Sequence, residues 1–256
     1  MAFLTPLIIV FIISLLGITG GILLLYNKKL ARLFSKHFIN FAIGALLGVV
    51  FLDLLPEAIK AGGGVLIYSL VGILTFYLLE KTLLWYHHHS VEHILSHTGS
   101  KHHPDERAHP AGYLITLGDA IHNFIDGLVI SASFLVNFEL GIATSLAVLF
   151  HELPQEMGEF AILLHAKFSR FKIILYSLAA QMTAVIGAIL GFFYLPVLGN
   201  LGAILAFTAG GFIYIASTDL LPETHREKGA VKSIMQVGLL ILGILVIWYV
   251  GQIFPE

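Results

Sequence analysis

Eight stretches of this chain approach the roughly 20 residues needed to cross a ~30 Å hydrocarbon layer, and short polar joints separate most of them. A backbone in hydrocarbon has to satisfy its own hydrogen bonds, and helices do so within a single segment. The predicted spans are 3–26, 38–61, 64–86, 111–135, 139–165, 172–195, 200–224 and 230–252. Hydrophobic residues make up 57% of the chain and charged residues 12%, against roughly 25% charged in soluble domains. The expectation is an all-α integral membrane protein of eight helices, forming one domain over 1–256. The first stretch has no basic leader or convincing cleavage site, so it reads as a retained span. With 14 basic and 16 acidic residues there is no excess of positive charge to bind nucleic acid. Cysteine is absent, which removes disulfides and thiolate metal sites.

Loop charges give a direction. One set of joints carries Lys28, Lys29, Arg32 and Lys36, then Lys101 and Arg107, then Lys167, Arg170 and Lys172, then Arg226, Lys228 and Lys232. The opposite set has Lys60, while Lys81 near the end of span three can snorkel to the basic side. The positive-inside rule places the basic set in the cytoplasm and both termini away from it, as in a plasma or inner membrane. An internal repeat accompanies this. Phe41, Gly44 and Asp53-Leu54-Leu55-Pro56-Glu57 match Phe207, Gly210 and Asp219-Leu220-Leu221-Pro222-Glu223 at an offset of 166 residues. The same offset carries span one onto span six and span three onto span eight. Five spans separate the copies, so two three-helix units should run oppositely around spans four and five, an arrangement common in secondary transporters.

Spans four and five hold the costly residues. His122-Asn123-Phe124-Ile125-Asp126-Gly127 and His151-Glu152-Leu153-Pro154-Gln155-Glu156, running on to Glu159, interrupt apolar helices. Ionisable groups there cost roughly 2.5–3.5 kcal/mol each on insertion scales, and a divalent cation between the helices would neutralise them. At about 100° per residue, Asp119, His122, Asn123 and Asp126 share one narrow face, with Asp126 between His122 and Asn123. Asp126 could therefore bridge two metals. On span five, His151, Glu152, Gln155 and Glu159 form a parallel set, with Glu156 at its edge. Pro154 is expected to bend its helix, and Gly127 and Gly158 to admit close neighbours.

These paired runs resemble the signature helices of the ZIP family of divalent-metal transporters, in the subfamily with the HExPxExG(D/E) motif. The resemblance covers the whole chain. It implies eight spans, termini outside, a His-rich cytoplasmic loop, and His122, Asn123, Asp126, His151, Glu152 and Gln155 at the positions of a two-metal site. It also suggests Gln181 on span six. Gln155 stands where the subfamily usually has His, and Glu159 where it has Asp. The implied activity is uptake of a divalent transition metal into the cytoplasm, zinc first, with Fe(2+), Mn(2+), Co(2+) or Cd(2+) as alternatives. Partners would be the metal ions and the lipid bilayer, and a homodimer is compatible with the chain.

Other readings stand beside these. Asp119 serves equally as a ligand or as a support for the His122 ring. Glu156 can pair with another helix, and Asp53, Glu57, Asp219 and Glu223 can be acids at helix ends or parts of a pathway. The segment His87–His109 holds eight of the 13 histidines, suited to contact metal or to act as a solvated linker. His151-Glu152 opens like the H-E-x-x-H motif of zinc proteases, so an intramembrane metalloenzyme is the rival class. However, Gln155 replaces its second histidine and Pro154 disrupts the turn. The absence of a phosphate-binding loop argues against an ATP-driven pump.

Overall fold

Long runs of Leu, Ile, Val, Phe and Ala, closed by Asn, Ser and Gly, form helices wherever the computed structural model describes the chain: residues 4–62, 65–96, 110–225 and 229–253. They are α1 (Leu4–Tyr26), α2 (Lys28–Gly48), α3 (Leu55–Lys60), α4 (Leu66–Ser96), α5 (Pro110–Val136), α6 (Phe138–His165), α7 (Arg170–Leu198), α8 (Leu201–Ile215), α9 (Leu221–His225) and α10 (Ala230–Ile253). A wider π-helical segment, Val49–Leu54, joins α2 to α3, and another, Ala216–Leu220, joins α8 to α9. Counting each joined pair as one rod gives eight rods for the eight expected spans. Caps make the turns short. Asn137 alone separates α5 from α6, with its side chain accepting from Leu140 N at 2.7 Å. Gly199, at φ 69°, and Asn200 turn α7 into α8.

Six helical stretches are long and apolar enough to cross a membrane: Leu4–Tyr26, His37–Lys60, Ile115–Val136, Arg170–Val197, Leu201–Thr218 and Ala230–Ile253. α4 offers a shorter apolar stretch, Leu66–Leu79. The polar run from His151 onward dilutes α6 below the same standard. Burial is inverted relative to a soluble protein. Phe193, Tyr194, Val231, Ile234 and Trp248 are exposed, whereas Asp126, His151, Glu152 and Glu156 are buried. This is a multi-pass membrane protein.

The repeat is visible in the packing. α2 crosses α10, and α8 crosses α4, each through glycines that bring backbone against backbone. A Cβ on Gly243 would strike the Phe41 carbonyl, and one on Gly72 would strike that of Phe207. Phe41 and Phe207 keep the offset of 166, but Gly72 and Gly243 are 171 residues apart. The third helix of each unit is therefore displaced from the register expected. Fifteen residues separate Glu57 from Gly72, and twenty separate Glu223 from Gly243. At 171 the identity is Gly-Ile-Leu on Gly-Ile-Leu, residues 72–74 and 243–245. Both π segments end at Asp-Leu-Leu-Pro-Glu. The ring of Pro56 or Pro222 would crowd the carbonyl four residues earlier in a regular helix, and a wider turn relieves that contact.

α6 continues as a helix on both sides of Pro154. One local expectation changes. Gly158 faces outward, and a Cβ there would meet nothing within 4 Å, so it admits no close neighbour. Gly127 does. A Cβ on it would collide with the Ala184 carbonyl and the Ala188 nitrogen of α7.

Candidate metal centre

The turn at Asn137 makes α5 and α6 antiparallel neighbours, and Thr144 donates to Ser133 across them at 3.0 Å. Each is then clamped from behind by a glycine. A Cβ on Gly20 of α1 would strike the carbonyl of Leu153, two residues past His151. One on Gly187 of α7 would strike that of Phe124, two residues past His122. The two polar runs are thus seated by equivalent contacts and face one another. Apolar layers lie on both sides along α6, with Ala143, Ala147 and Val148 before the polar run and Phe160 and Leu163 after it.

Four of the expected residues converge. His122, Asp126, His151 and Glu152 each direct one ligand atom to a common point, all four atoms within 4.8 Å of one another. His122 Nε2 and His151 Nε2 are 3.2 Å apart. Asp126 Oδ2 lies 3.2 Å from His151 Nε2 and 3.6 Å from His122 Nε2. Glu152 Oε1 is 3.6 Å from each ring nitrogen. A tetrahedral zinc with bonds of ~2.0–2.2 Å holds its ligand atoms about 3.3–3.6 Å apart, so the set has the dimensions of such a shell. His151 Nδ1 lies 3.2 Å from the Ala147 carbonyl. Donation there leaves Nε2 with its lone pair, the tautomer a metal requires. Both oxygens of Asp126 and Oε1 of Glu152 are buried without a hydrogen-bond partner, an expensive state that a cation relieves. Phe76 stands edge-on to His122, with ring centroids 6.4 Å apart, and Phe212 edge-on to His151 at 5.8 Å. These aromatic walls come from α4 and α8, and no periodicity within spans four and five could have pointed to them.

The other candidates gather one turn further along. Asp119, Glu156 and Glu159 bring one oxygen each to within 4.8 Å of one another. Asn123 donates its amide nitrogen to Asp119 Oδ1 at 3.0 Å. Gln155 Nε2 reaches the same oxygen at 3.5 Å. Gln181 donates its amide to Glu152 Oε2 at 2.5 Å and to Glu156 Oε1 at 2.9 Å, which joins the two groups. Between two carboxylates the N–H side of an amide is the side that fits. Thr116 Oγ1 donates to Glu159 Oε1 at 3.3 Å. It was absent from the sequence candidates, although it lies three residues before Asp119 and hence on the same helical face.

Asp53 and Glu57 sit elsewhere, beside Asn137 and Glu139, around a cavity of about 360 Å³. Glu57 pairs there with Lys60 at 3.0 Å. The side chains of Asp219 and Glu223, and most of the histidine-rich segment, lie outside the described residues.

Helices long and apolar enough to span a membrane, with imidazoles and carboxylates converging in their interior, define a membrane protein with a metal-ligand set at its core. The profile of the ZIP zinc transporter family matches residues 2–111 and 87–251, and the chain belongs to that family, one of transporters rather than enzymes. It is 36% identical to zinc transporter ZIP13 of Pongo abelii over 82% of this chain and 65% of that protein. With zinc transporter ZIP13 of Gallus gallus it shares 33% identity, over 82% of this chain and 72% of that one. A shorter match, 47% identical over 121 residues, is to zinc transporter ZIP4 of Mus musculus, covering 45% of this chain and 18% of that protein. The chain spans about two thirds of the orangutan protein it matches.

Proposed function

We propose that this protein carries zinc across a membrane, and that the ion passes between α5 and α6 through His122, Asp126, His151 and Glu152. The observation that carries the reading is the set of ligand atoms at tetrahedral spacing, with carboxylate oxygens otherwise unpartnered. Two carboxylates and two neutral imidazoles around a divalent ion sum to zero charge, which suits a site enclosed by apolar layers. Membership of a zinc transporter family supports zinc. The nitrogen-and-oxygen donor set also suits Fe(2+), Mn(2+), Co(2+) and Cd(2+), and does not suit Cu(+). The direction is into the cytoplasm, with Lys29 and Lys172 on that side and both termini on the other, as the basic residues indicate. The metalloenzyme reading gains no support from the comparisons.

Uptake of radioactive zinc into proteoliposomes containing only this chain tests the function. Uptake that rises with protein and saturates with zinc is expected; vesicles no more permeable than protein-free ones would overturn it. For sidedness, Lys29→Cys and Lys172→Cys should react with a membrane-impermeant maleimide only from the cytoplasmic side, and Ala61→Cys only from the other. Labelling from the reverse sides would defeat the topology. Gln155→His places an imidazole where an amide now stands. Zinc should bind about tenfold more tightly and turn over more slowly, because conduction requires a site weak enough to leave. Calorimetry together with initial uptake rates checks both.

A further inference from the structure

The joint between α6 and α7 holds a charged residue where glycine would fold more easily. α6 ends in a closed turn: Phe168 N donates to the Leu163 carbonyl at 3.0 Å and Lys167 N to the Leu164 carbonyl at 3.1 Å. This pair of bonds puts residue 167 in the left-handed region, a position glycine usually fills. Lys167 occupies it at φ 62°, and among the described residues no other non-glycine has a positive φ. The Phe168 ring closes the turn from within, packed with Leu163 against Gly112 of α5, where a Cβ would strike both. A side chain in the left-handed region is strained, so what lysine adds at this point is its ammonium group.

Two further cations, Arg170 and Lys172, open α7. The Arg170 guanidinium lies over the ring of Tyr26 at the end of α1, 5.9 Å from its centroid, and Lys29 follows three residues on. All four basic side chains are exposed. No acid stands in residues 1–52, 110–118 or 160–218, so α1, α2, α7 and the start of α5 supply no counter-charge. The apolar stretch of α7 begins at Arg170 and that of α1 ends at Tyr26. The cluster therefore sits where helices leave hydrocarbon, at the depth of lipid phosphates. On its hydrocarbon side Phe171 and Leu175, one turn apart on α7, are exposed, as is Ile162 of α6.

We propose that this corner binds an anionic phospholipid, its phosphate held by Lys167 and Arg170 and its acyl chains lying along Phe171 and Leu175. A guanidinium held against a ring keeps its N–H edge free for two phosphate oxygens. A zwitterionic lipid brings its own ammonium into a place already crowded with cations, so the net-negative headgroup is preferred. One bound lipid joins the end of α1 to the α6–α7 turn and, through Phe168, to the start of α5. The inference does not depend on transport or on its direction.

Native mass spectrometry of the full chain in detergent tests the proposal, with phosphatidylglycerol and phosphatidylcholine of identical acyl chains added at equal concentration. Wild-type protein should retain phosphatidylglycerol at least about tenfold better, and the Arg170→Gln, Lys172→Gln double variant should lose that advantage. Lys167→Gly should weaken retention about fivefold, the effect of one basic contact. It should also melt no lower than wild type, because glycine is at ease in the left-handed region. Lys232→Gln, which removes an exposed cation from a different joint, should bind like wild type. Equal retention of the two lipids by wild-type protein overturns the proposal without reference to any variant. So does a double variant that keeps its preference, or a Lys232→Gln protein that loses as much as the double variant. Release of phosphatidylglycerol by excess inorganic phosphate would also overturn it, since the corner would then be a site for the free anion.

Discussion

Asp126→Ala is expected to lower zinc uptake by about two orders of magnitude or more at normal surface abundance. Asp126 Oδ2 lies 3.2 Å from His151 Nε2 and 3.6 Å from His122 Nε2, and neither oxygen of the carboxylate has another partner. Removing one member of a buried charge pair costs about 3–5 kcal/mol, and each ~1.4 kcal/mol is a factor of ten in binding. Asp126→Glu keeps the charge and should retain part of the uptake. Asn123→Ala should be milder than Asp126→Ala, because it removes a neutral amide, whose nitrogen donates to Asp119, and no charge. Radioactive zinc uptake normalised to surface-biotinylated protein measures all three. An Asp126→Ala protein that transports normally would show that the ion takes another route.

Gly127→Leu and Gly187→Leu should remove the folded protein altogether. In both places the obstacle is backbone: the Ala184 carbonyl for the first and the Phe124 carbonyl for the second. A clash with a rotatable side chain can be relieved, but here two helices would have to separate. The expected loss lies at or above the top of the ~1–3 kcal/mol range for overpacked sites. A sharp monodisperse peak should vanish on fluorescence-detected size exclusion. Gly158→Ala, with open space at its Cβ, should elute and transport like the wild type. Monodisperse Gly127→Leu protein with normal uptake would mean that α5 and α7 do not meet as described.

Much of this architecture was legible because membrane helices advertise themselves by length and hydropathy. The spans foreseen at 3–26, 139–165 and 230–252 correspond to Leu4–Tyr26, Phe138–His165 and Ala230–Ile253. The opposed repeat announced itself through Asp53 to Glu57 and Asp219 to Glu223. What escaped depends on contacts between helices, which periodicity along one helix does not record. Gly72 and Gly243 reveal their pairing only once each is seen against the carbonyl it touches. Gln181 came only from the family resemblance, and that its amide nitrogen faces two carboxylates shows only in the packing. The bond from the Asn123 amide nitrogen to Asp119 depends on rotamers, which angular position does not record. The π segments follow from a proline meeting a packed helix, and such widening leaves no periodic trace in sequence.

The single residue between α5 and α6 also bears on how the protein is made. α6 carries Glu152, Glu156 and Glu159 within its length, each an insertion penalty of roughly 2.5–3.5 kcal/mol near the bilayer centre. Released alone from the translocation machinery, such a segment would partition back toward water. Asn137 leaves little slack, so α6 is expected to meet the lipid already paired with α5, its three buried acids turned inward. On that expectation the pair enters as a hairpin, and lengthening the joint would delay the moment at which the acids find cover.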